Sequence, residues 1–498
     1  MFVAIVTILY VVALFVFSAF AQKKQNEAVA RGGKGSFLMA GKNLPLILVA
    51  VLTAGGTIGG TLTTGVAQLV QTAGVSACWY GIAAIAGLMF LGLVGAKRIR
   101  LLGYSTNAEM VADYCGSASR YLMVVGQLII ILGVACLQYV SGGAMLASMF
   151  PGVISYNAGV AITAVVFAVV CVFGGLMGTS LANLINVVII YIGLLACGIA
   201  AVVHYGGWSE LMEGMRAVAA SEQTVSGGSW MSLTGGLGLA TCLSYLVSEP
   251  GNRITTQSNT MACSAARNEK AARGGIILGA LMCVPVLVIS VIMGLVVKVN
   301  MPDVPSAQAM ATLIMQMNPG LAALGMAGLW AVTVSTGVAL LMSSVQLVCF
   351  DILVPFKRHA QAADKAEANR RQQRESRIAL VIMMLVTLFL AYKAKSIVAT
   401  IITVLCITPS FFWMMISFLY FPRLIKKSSA LITQIAAYIF FFAWLFIPAV
   451  KAAFPTPIYV EWPLCTVVWF LCAAIDRRPI DKVVPKSERS LSAGIMQD

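Results

Sequence analysis

Two stretches of this 498-residue chain combine residue types that can hold a cation. In Trp330-Ala331-Val332-Thr333-Val334-Ser335-Thr336-Gly337-Val338, the adjacent hydroxyls of Ser335 and Thr336 offer two hard oxygens. The Val332 carbonyl lies one turn back from Ser335 on the same helix face. Such hydroxyls also bond to carbonyls of their own helix, so this spacing alone leaves both uses open. The other stretch, Leu52 to Gly65, holds Gly55, Gly56, Gly59 and Gly60 among several threonines. Each glycine costs a helix ~1 kcal/mol relative to alanine, which favours an unwound segment. The same spacing fits a small-residue helix interface, and both readings stand at this point.

Other chemistries find little support. The 12 cysteines form no C-x-x-C pair and most, such as Cys136, Cys171 and Cys283, lie inside apolar runs, so neither disulfide nor metal is assigned. His204 and His359 have no nucleophile or metal partner in view, so an enzyme is not expected. With 60% hydrophobic residues, 10% charged and a mean hydropathy of +0.92, the chain departs from a soluble domain, where about 25% are charged. Lipid is the solvent for most of it. The net charge of +15 sits in short segments between apolar runs, a pattern of membrane orientation and not of nucleic-acid binding.

A spanning helix needs about 20 apolar residues, and the windows that qualify are roughly 2–20, 44–71, 78–96, 122–150, 158–178, 184–204, 232–248, 274–298, 320–349, 378–395, 396–421, 431–451 and 461–476. With the N-terminus outside, 28 of the 33 Lys and Arg fall on the inner side. The other five, Arg216, Lys298, Lys393, Lys395 and Lys451, fall outside, which predicts an N-out, C-in protein of the plasma membrane. Ala19-Phe20-Ala21 resembles a cleavage site, but no positive n-region precedes it, so a retained first helix is expected. The loop 357–377 reads as a solvated helix on the inner side. Irregular backbone in a bilayer is tolerated only where it lines a protein or water cavity. If spans 2–6 and 7–11 form two five-helix repeats of opposite topology, the broken first helix of one packs near the third helix of the other, at the midplane.

At this point the residues resemble the sodium:solute symporter family over about residues 35 to 425. Phe37-Leu38-Met39-Ala40-Gly41-Lys42-Asn43-Leu44-Pro45 looks like the family's entrance to its first core helix. Gly103 to Met110, followed by Arg120, looks like its inner loop, and Phe173-Gly174-Gly175-Leu176-Met177 is similar to its G-G-L motif. Pro250-Gly251-Asn252-Arg253 with Ala265, Ala266, Ala271 and Ala272 is similar to its P-x-x-x-x-R loop, and Val334-Ser335-Thr336 with Asp351-Ile352 to its M-S-T…D-I-Y stretch. The resemblance implies an all-α integral membrane protein with a LeuT-type 5+5 inverted repeat and three peripheral helices, about 13 transmembrane helices in all. The domains would be 1–36, a peripheral helix and basic loop; 37–204 and 205–425, the two repeats; and 426–498, two peripheral helices and a basic tail. It also implies one Na+ as coupling ion, held by the carbonyls of Gly55, Ile58 and Val332 and the hydroxyls of Ser335 and Thr336. Asn183 stands where the family often has an Asp, and Val338 and Ala339 stand where some members carry hydroxyls for a second sodium. These departures favour a single ion.

Spans 2–11 hold almost no ionisable residue at membrane depth, so a substrate amine would lack a buried carboxylate. The expected cargo is a small neutral or zwitterionic solute, or a carboxylate held by N–H groups where the broken helix restarts near Gly59, Gly60 and Thr61. Candidate substrate-binding residues are Thr57, Gly59, Gly60, Gln138, Tyr139, Thr241, Ser244 and Tyr245. The alternatives are a proton-linked or uncoupled transporter of the same fold, or a transporter-like sensor. The short tail after the last span leaves no room for an output domain in this chain, against a sensor.

Overall fold

A chain that surrenders water must satisfy its backbone amides internally, and helices do so within one segment. The computed structural model describes residues 2–30, 42–353, 365–393 and 404–476. The motif residues 37–41, part of the loop 357–377, the basic tail from 477 and the 36/37 boundary lie outside them. Among the described residues every element is a helix, apart from an isolated parallel bridge between Leu44 and Ala266.

The first half contains α1 (Phe2–Ala30), α2 (Leu46–Thr57), α3 (Val66–Ala73), α4 (Cys78–Phe90), α5 (Ala96–Leu102), α6 (Asn107–Cys115), α7 (Ser117–Met149) and α8 (Tyr156–His204). After a connecting helix, α9 (Gly207–Ser221), come α10 (Leu239–Thr255), α11 (Gln257–Ala265), α12 (Glu269–Asn300), α13 (Ala309–Met315) and α14 (Pro319–Leu347). The chain continues with α15 (Lys365–Lys393), α16 (Pro409–Tyr420), α17 (Ser429–Phe446), α18 (Pro448–Ala453) and α19 (Ile458–Ile475). Helix α8 carries two candidate spans, Tyr156–Phe173 and Gly178–His204.

Among the described residues ten stretches are long and apolar enough to cross a bilayer, and three shorter apolar helices accompany them, so the exact count of thirteen is not confirmed. The reasons are local. Window 44–71 is interrupted after Thr57, and window 232–248 begins as turns up to Gly238, with α10 starting only at Leu239. Part of window 396–421 lies outside the described residues. Conversely, Thr61–Leu102 is one 42-residue stretch, because the short turn Gly74–Ala77 joins α3 to α4. That turn requires glycine at 74, where φ is +59° and a Cβ would lie 2.2 Å from the Trp230 carbonyl oxygen.

Several motif residues prove to be structural. Thr106 accepts the Glu109 N–H at 3.0 Å while the Glu109 carboxylate accepts the Ser105 N–H at 2.8 Å, a capping box that starts α6. Leu44 donates to the Ala265 carbonyl and accepts from the Arg267 N–H, which stitches the entry of α2 to the buried alanines of the α11–α12 corner. Gly275 and Gly279 of α12 let α2 approach closely: a Cβ there would meet Val49 at 2.6 Å and Thr53 at 2.8 Å.

One end of the bundle is tied by polar groups. Asp351, fully buried, pairs with Arg120 at 2.8 Å, and Glu249 pairs with Arg253 at 2.8 Å. Gln257 links four elements through Gln127, Gln346, Ser105 and Asn107. Removing one partner of a buried pair costs about 3–5 kcal/mol, because the other charge is stranded. Arg120→Met is therefore expected to lower the melting temperature markedly, with Arg120→Met/Asp351→Leu recovering most of the loss. Equal melting of the single and double variants would contradict this.

Candidate functional site

The helical ladder of α2 fails where glycines remove the side chains that would otherwise pack it. Ile58 adopts φ −73° and ψ 68°, its N–H reaching the Ala54 carbonyl at 2.6 Å. The Gly59 N–H turns back to the Thr57 carbonyl at 2.8 Å. The chain re-enters helix through a π turn, Thr61–Gly65, closed by the Gly65 N–H on the Gly60 carbonyl at 2.6 Å. Nearly all of residues 51–67 are buried, with Gly56 half-buried.

The unwinding and the close packing left open above are both present. A Cβ on Gly59 would sit 2.8 Å from the Thr336 hydroxyl, and one on Gly55 would sit 2.7 Å from Asn183 Nδ2 and 3.4 Å from Ser335 Cβ. The glycines thus let α2 break and let α14 and α8 press against the break.

Four of the five residues singled out for a cation share two hydrogen bonds. The Thr336 hydroxyl donates to the Gly55 carbonyl at 2.6 Å, across 281 residues of chain. The Ser335 hydroxyl donates to the Val332 carbonyl at 2.9 Å within α14. Ile58 lies in the turn beside them, its side chain fully buried. The oxygens are uncharged, and among the described residues no cluster of three or more His, Cys, Asp or Glu could hold a metal ion.

The substrate candidates divide. The Gly60 N–H donates to Gln138 Oε1 at 2.8 Å, so Gln138 of α7 caps the restarted helix. Beside it the Thr64 hydroxyl donates to the Gly60 carbonyl at 2.6 Å and lies 3.1 Å from the Ser141 hydroxyl. Thr57 is buried at the break. Tyr139 turns aside: its ring meets Phe167 of α8 edge-on at 5.3 Å, and its buried hydroxyl has no hydrogen-bond partner among the described residues. Thr241, Ser244 and Tyr245 sit on α10, where Ser244 bonds back to the Thr241 carbonyl at 2.7 Å and Tyr245 meets Tyr80 of α4 at 5.9 Å. Among the described residues no hydrogen bond joins those three to residues 57–65.

Sequence reasoning missed Thr64 and Ser141, whose hydroxyls complete the cap around Gly60. It also missed a chain of three polar residues behind Gly55. Tyr10 of α1 donates to Asn186 Oδ1 at 2.7 Å, and Asn186 Nδ2 donates to Asn183 Oδ1 at 3.2 Å. Nothing in the pattern of α1, an apolar helix, marks Tyr10 as a partner of α8.

The chain matches the sodium:solute symporter family over residues 37–436. It is similar to a Na+-coupled sialic acid symporter in a substrate-bound outward-open state, with a TM-score of 0.76 and 14% identity, covering 97% of this chain and 99% of that one. It also resembles MHP1, a nucleobase-cation-symport-1 family transporter, with a TM-score of 0.57 and 15% identity over 93% of this chain and 95% of that one. MhsT in complex with L-phenylalanine gives 0.54 and 11% over 86% and 98%. At these identities the likeness shows the fold, the LeuT-type arrangement expected above. The osmoregulated proline transporter OpuE of Bacillus subtilis (strain 168) is 24% identical over 207 residues, 40% of each chain, so the match spans well under half the length of that relative. Fold and family are those of a multi-pass membrane transporter and not of an enzyme; the chain belongs to the sodium:solute symporter family.

Proposed function

We propose that this chain is a sodium-coupled symporter that imports a small neutral or zwitterionic solute by alternating access. Its setting would be the bacterial plasma membrane, with the N-terminus outside. The observation that carries this reading is the contact between Thr336 and Gly55, which brings hydroxyl and carbonyl oxygens of two distant helices together at a helix break. Gly55, Ile58, Val332, Ser335 and Thr336 fit a hard monovalent cation, since every donor is oxygen and none carries charge. The two hydrogen bonds that now join these oxygens in pairs are the ones a shared cation would replace. One sodium moving inward would supply about 2.3 kcal/mol per 100 mV and about 1.4 kcal/mol per tenfold gradient. A neutral solute draws on both, whereas a monovalent anion gives back the electrical part.

The cap around Gly60 bears on the cargo. A carboxylate held at the restarted helix would need free N–H groups, yet Gly59 donates to Thr57 and Gly60 to Gln138. Gln138 Oε1 stands in the place a substrate carboxylate would take, which supports a solute recognised by Gln138, Thr57 and hydroxyls around the break. A proton-linked reading finds no carboxylate or imidazole among the residues bonded at the break. Tyr139 faces α8, so it enters this proposal as packing, and Thr241, Ser244 and Tyr245 as a more distant wall.

Four outcomes are expected. Detergent-purified protein melts higher in sodium chloride than in matched potassium or choline chloride, by roughly 2.7 kcal/mol of stabilisation at ~100 times the dissociation constant. Ser335→Ala/Thr336→Ala abolishes that shift, its melting in choline lowered by the lost Thr336–Gly55 hydrogen bond but still a single cooperative transition, and equal melting of parent protein in all three salts would refute sodium binding. Gly59→Ala forces the Thr336 hydroxyl aside and weakens sodium at least severalfold, read as a right-shifted sodium titration of melting temperature. Gln138→Ala opens the Gly60 N–H and raises competition by carboxylate-bearing solutes, monocarboxylates and zwitterionic amino acids alike, relative to neutral polyols in sodium-driven proteoliposome uptake. An unchanged ratio would count against the cap.

A further inference from the structure

A carboxyl group that the proposed transport site does not use lies inside the peripheral helix α19. Glu461 is fully buried, on a helix long and apolar enough to cross the bilayer. Its Oε2 accepts from the Cys465 thiol at 3.7 Å, one turn along the same helix, and its Oε1 has no hydrogen-bond partner. Cys406, in the stretch before α16, lies close enough to sense its charge. The ionisable groups of the helices packed around α19 are engaged elsewhere. Lys451 of α18 lies over the Trp444 ring, Tyr438 of α17 donates to the Leu122 carbonyl, Tyr420 of α16 donates to the Val94 carbonyl, and Glu249 of α10 pairs with Arg253. Among the described residues no Lys, Arg or His forms an ion pair with Glu461.

A carboxylate without a cation is expensive at membrane depth, and a buried group in that position gives up its charge instead. The neutral acid leaves one O–H short of an acceptor, a smaller burden than a stranded charge. Burial of Glu461 and possession of its proton therefore go together. The burial itself depends on α19 lying against its neighbours. Two residues before Glu461, the Tyr459 hydroxyl donates to the Ala240 carbonyl in the first turn of α10. One residue after it, the Trp462 ring lies on Gly251 of α10, where a Cβ would stand 2.9 Å away, and meets Phe412 of α16 at 4.9 Å. The acid is thus bracketed by the contacts that hold α19 on α10.

We propose that Glu461 is a proton-binding site that locks the peripheral helix α19 onto α10. With α19 docked, the carboxyl holds one proton. When α10 draws away, water reaches the group, the O–H bond gives its proton to that water, and the carboxylate left behind resists redocking. The docked state binds one more proton than the undocked one, so its share falls as pH rises. The site stands on α19, apart from the oxygens gathered at the helix break, so its proton regulates the movement of α10 and does not drive transport. The inference does not rest on the sodium reading.

The test compares parent, Glu461→Gln and Glu461→Leu in choline chloride from about pH 5.5 to about pH 8.5, above the ordinary carboxylate range. Gln keeps the outline of the acid without a proton to lose, and Leu removes the polar group altogether, so one variant decides if the other fails to fold. His204 and His359 are common to all three proteins and cancel in the comparison. Two quantities are read: the melting temperature, and the hydrogen exchange of backbone amides 242–248 of α10, corrected for the intrinsic effect of pH on exchange. The parent is expected to lose melting temperature relative to both variants as pH rises. Its α10 amides should exchange faster by up to roughly tenfold per pH unit, the limit for release of one proton, while the corrected exchange of the variants stays level. Parallel melting profiles in all three proteins would overturn the proton site. A pH-dependent difference in melting with parent α10 exchange as level as that of the variants would overturn the lock on α10.

Discussion

The hydrogen bond from Thr336 to the Gly55 carbonyl is the contact on which the account turns. A helix broken inside a bilayer exposes amides and carbonyls that lipid cannot satisfy. Here the exposed groups are met from three sides. Helix α14 brings Thr336 to Gly55, α7 brings Gln138 to Gly60, and the turn satisfies Gly59 by bonding back to Thr57. Each close approach depends on a missing side chain. A break of this kind can exist only where its neighbours are built for it, which explains why hard oxygens gather at this point of the fold.

The surrounding scaffold holds these three sides in register. Glycines along α12 seat α2, and Gly193, Gly325 and Gly337 let α8 and α14 lie against each other, with Phe167 filling the space over Gly337. The polar end of the bundle, with Arg120–Asp351 and the Gln257 network, ties α6, α7, α11 and α14 together. The alternating access proposed above would require these contacts to open and re-form as units. Uncharged amides suit that task better than ion pairs, since each exchange with water costs less.

Much of this was legible in the residues. Composition placed the chain in lipid, the glycine run located the break, and adjacent hydroxyls in an apolar helix located its partner. What stayed hidden was direction in space. Gln138 and Tyr139 are neighbours in sequence, yet about 100° of helical rotation sends one to Gly60 and the other to Phe167. The start of α10 was obscured because residues 232–238 are apolar enough to read as membrane but rich in glycine and turn-forming residues. Tyr10 was invisible for a different reason: a lone tyrosine in an apolar helix reads as packing until its partner on α8 is seen.

The central claim is that one sodium binds among Gly55, Ile58, Val332, Ser335 and Thr336. Equilibrium binding of radiolabelled sodium to the purified full-length protein measures this directly, as ions bound per chain at saturation. The account predicts a single ion per chain, displaced by excess unlabelled sodium and not by potassium. No saturable binding, or two ions per chain, would contradict it.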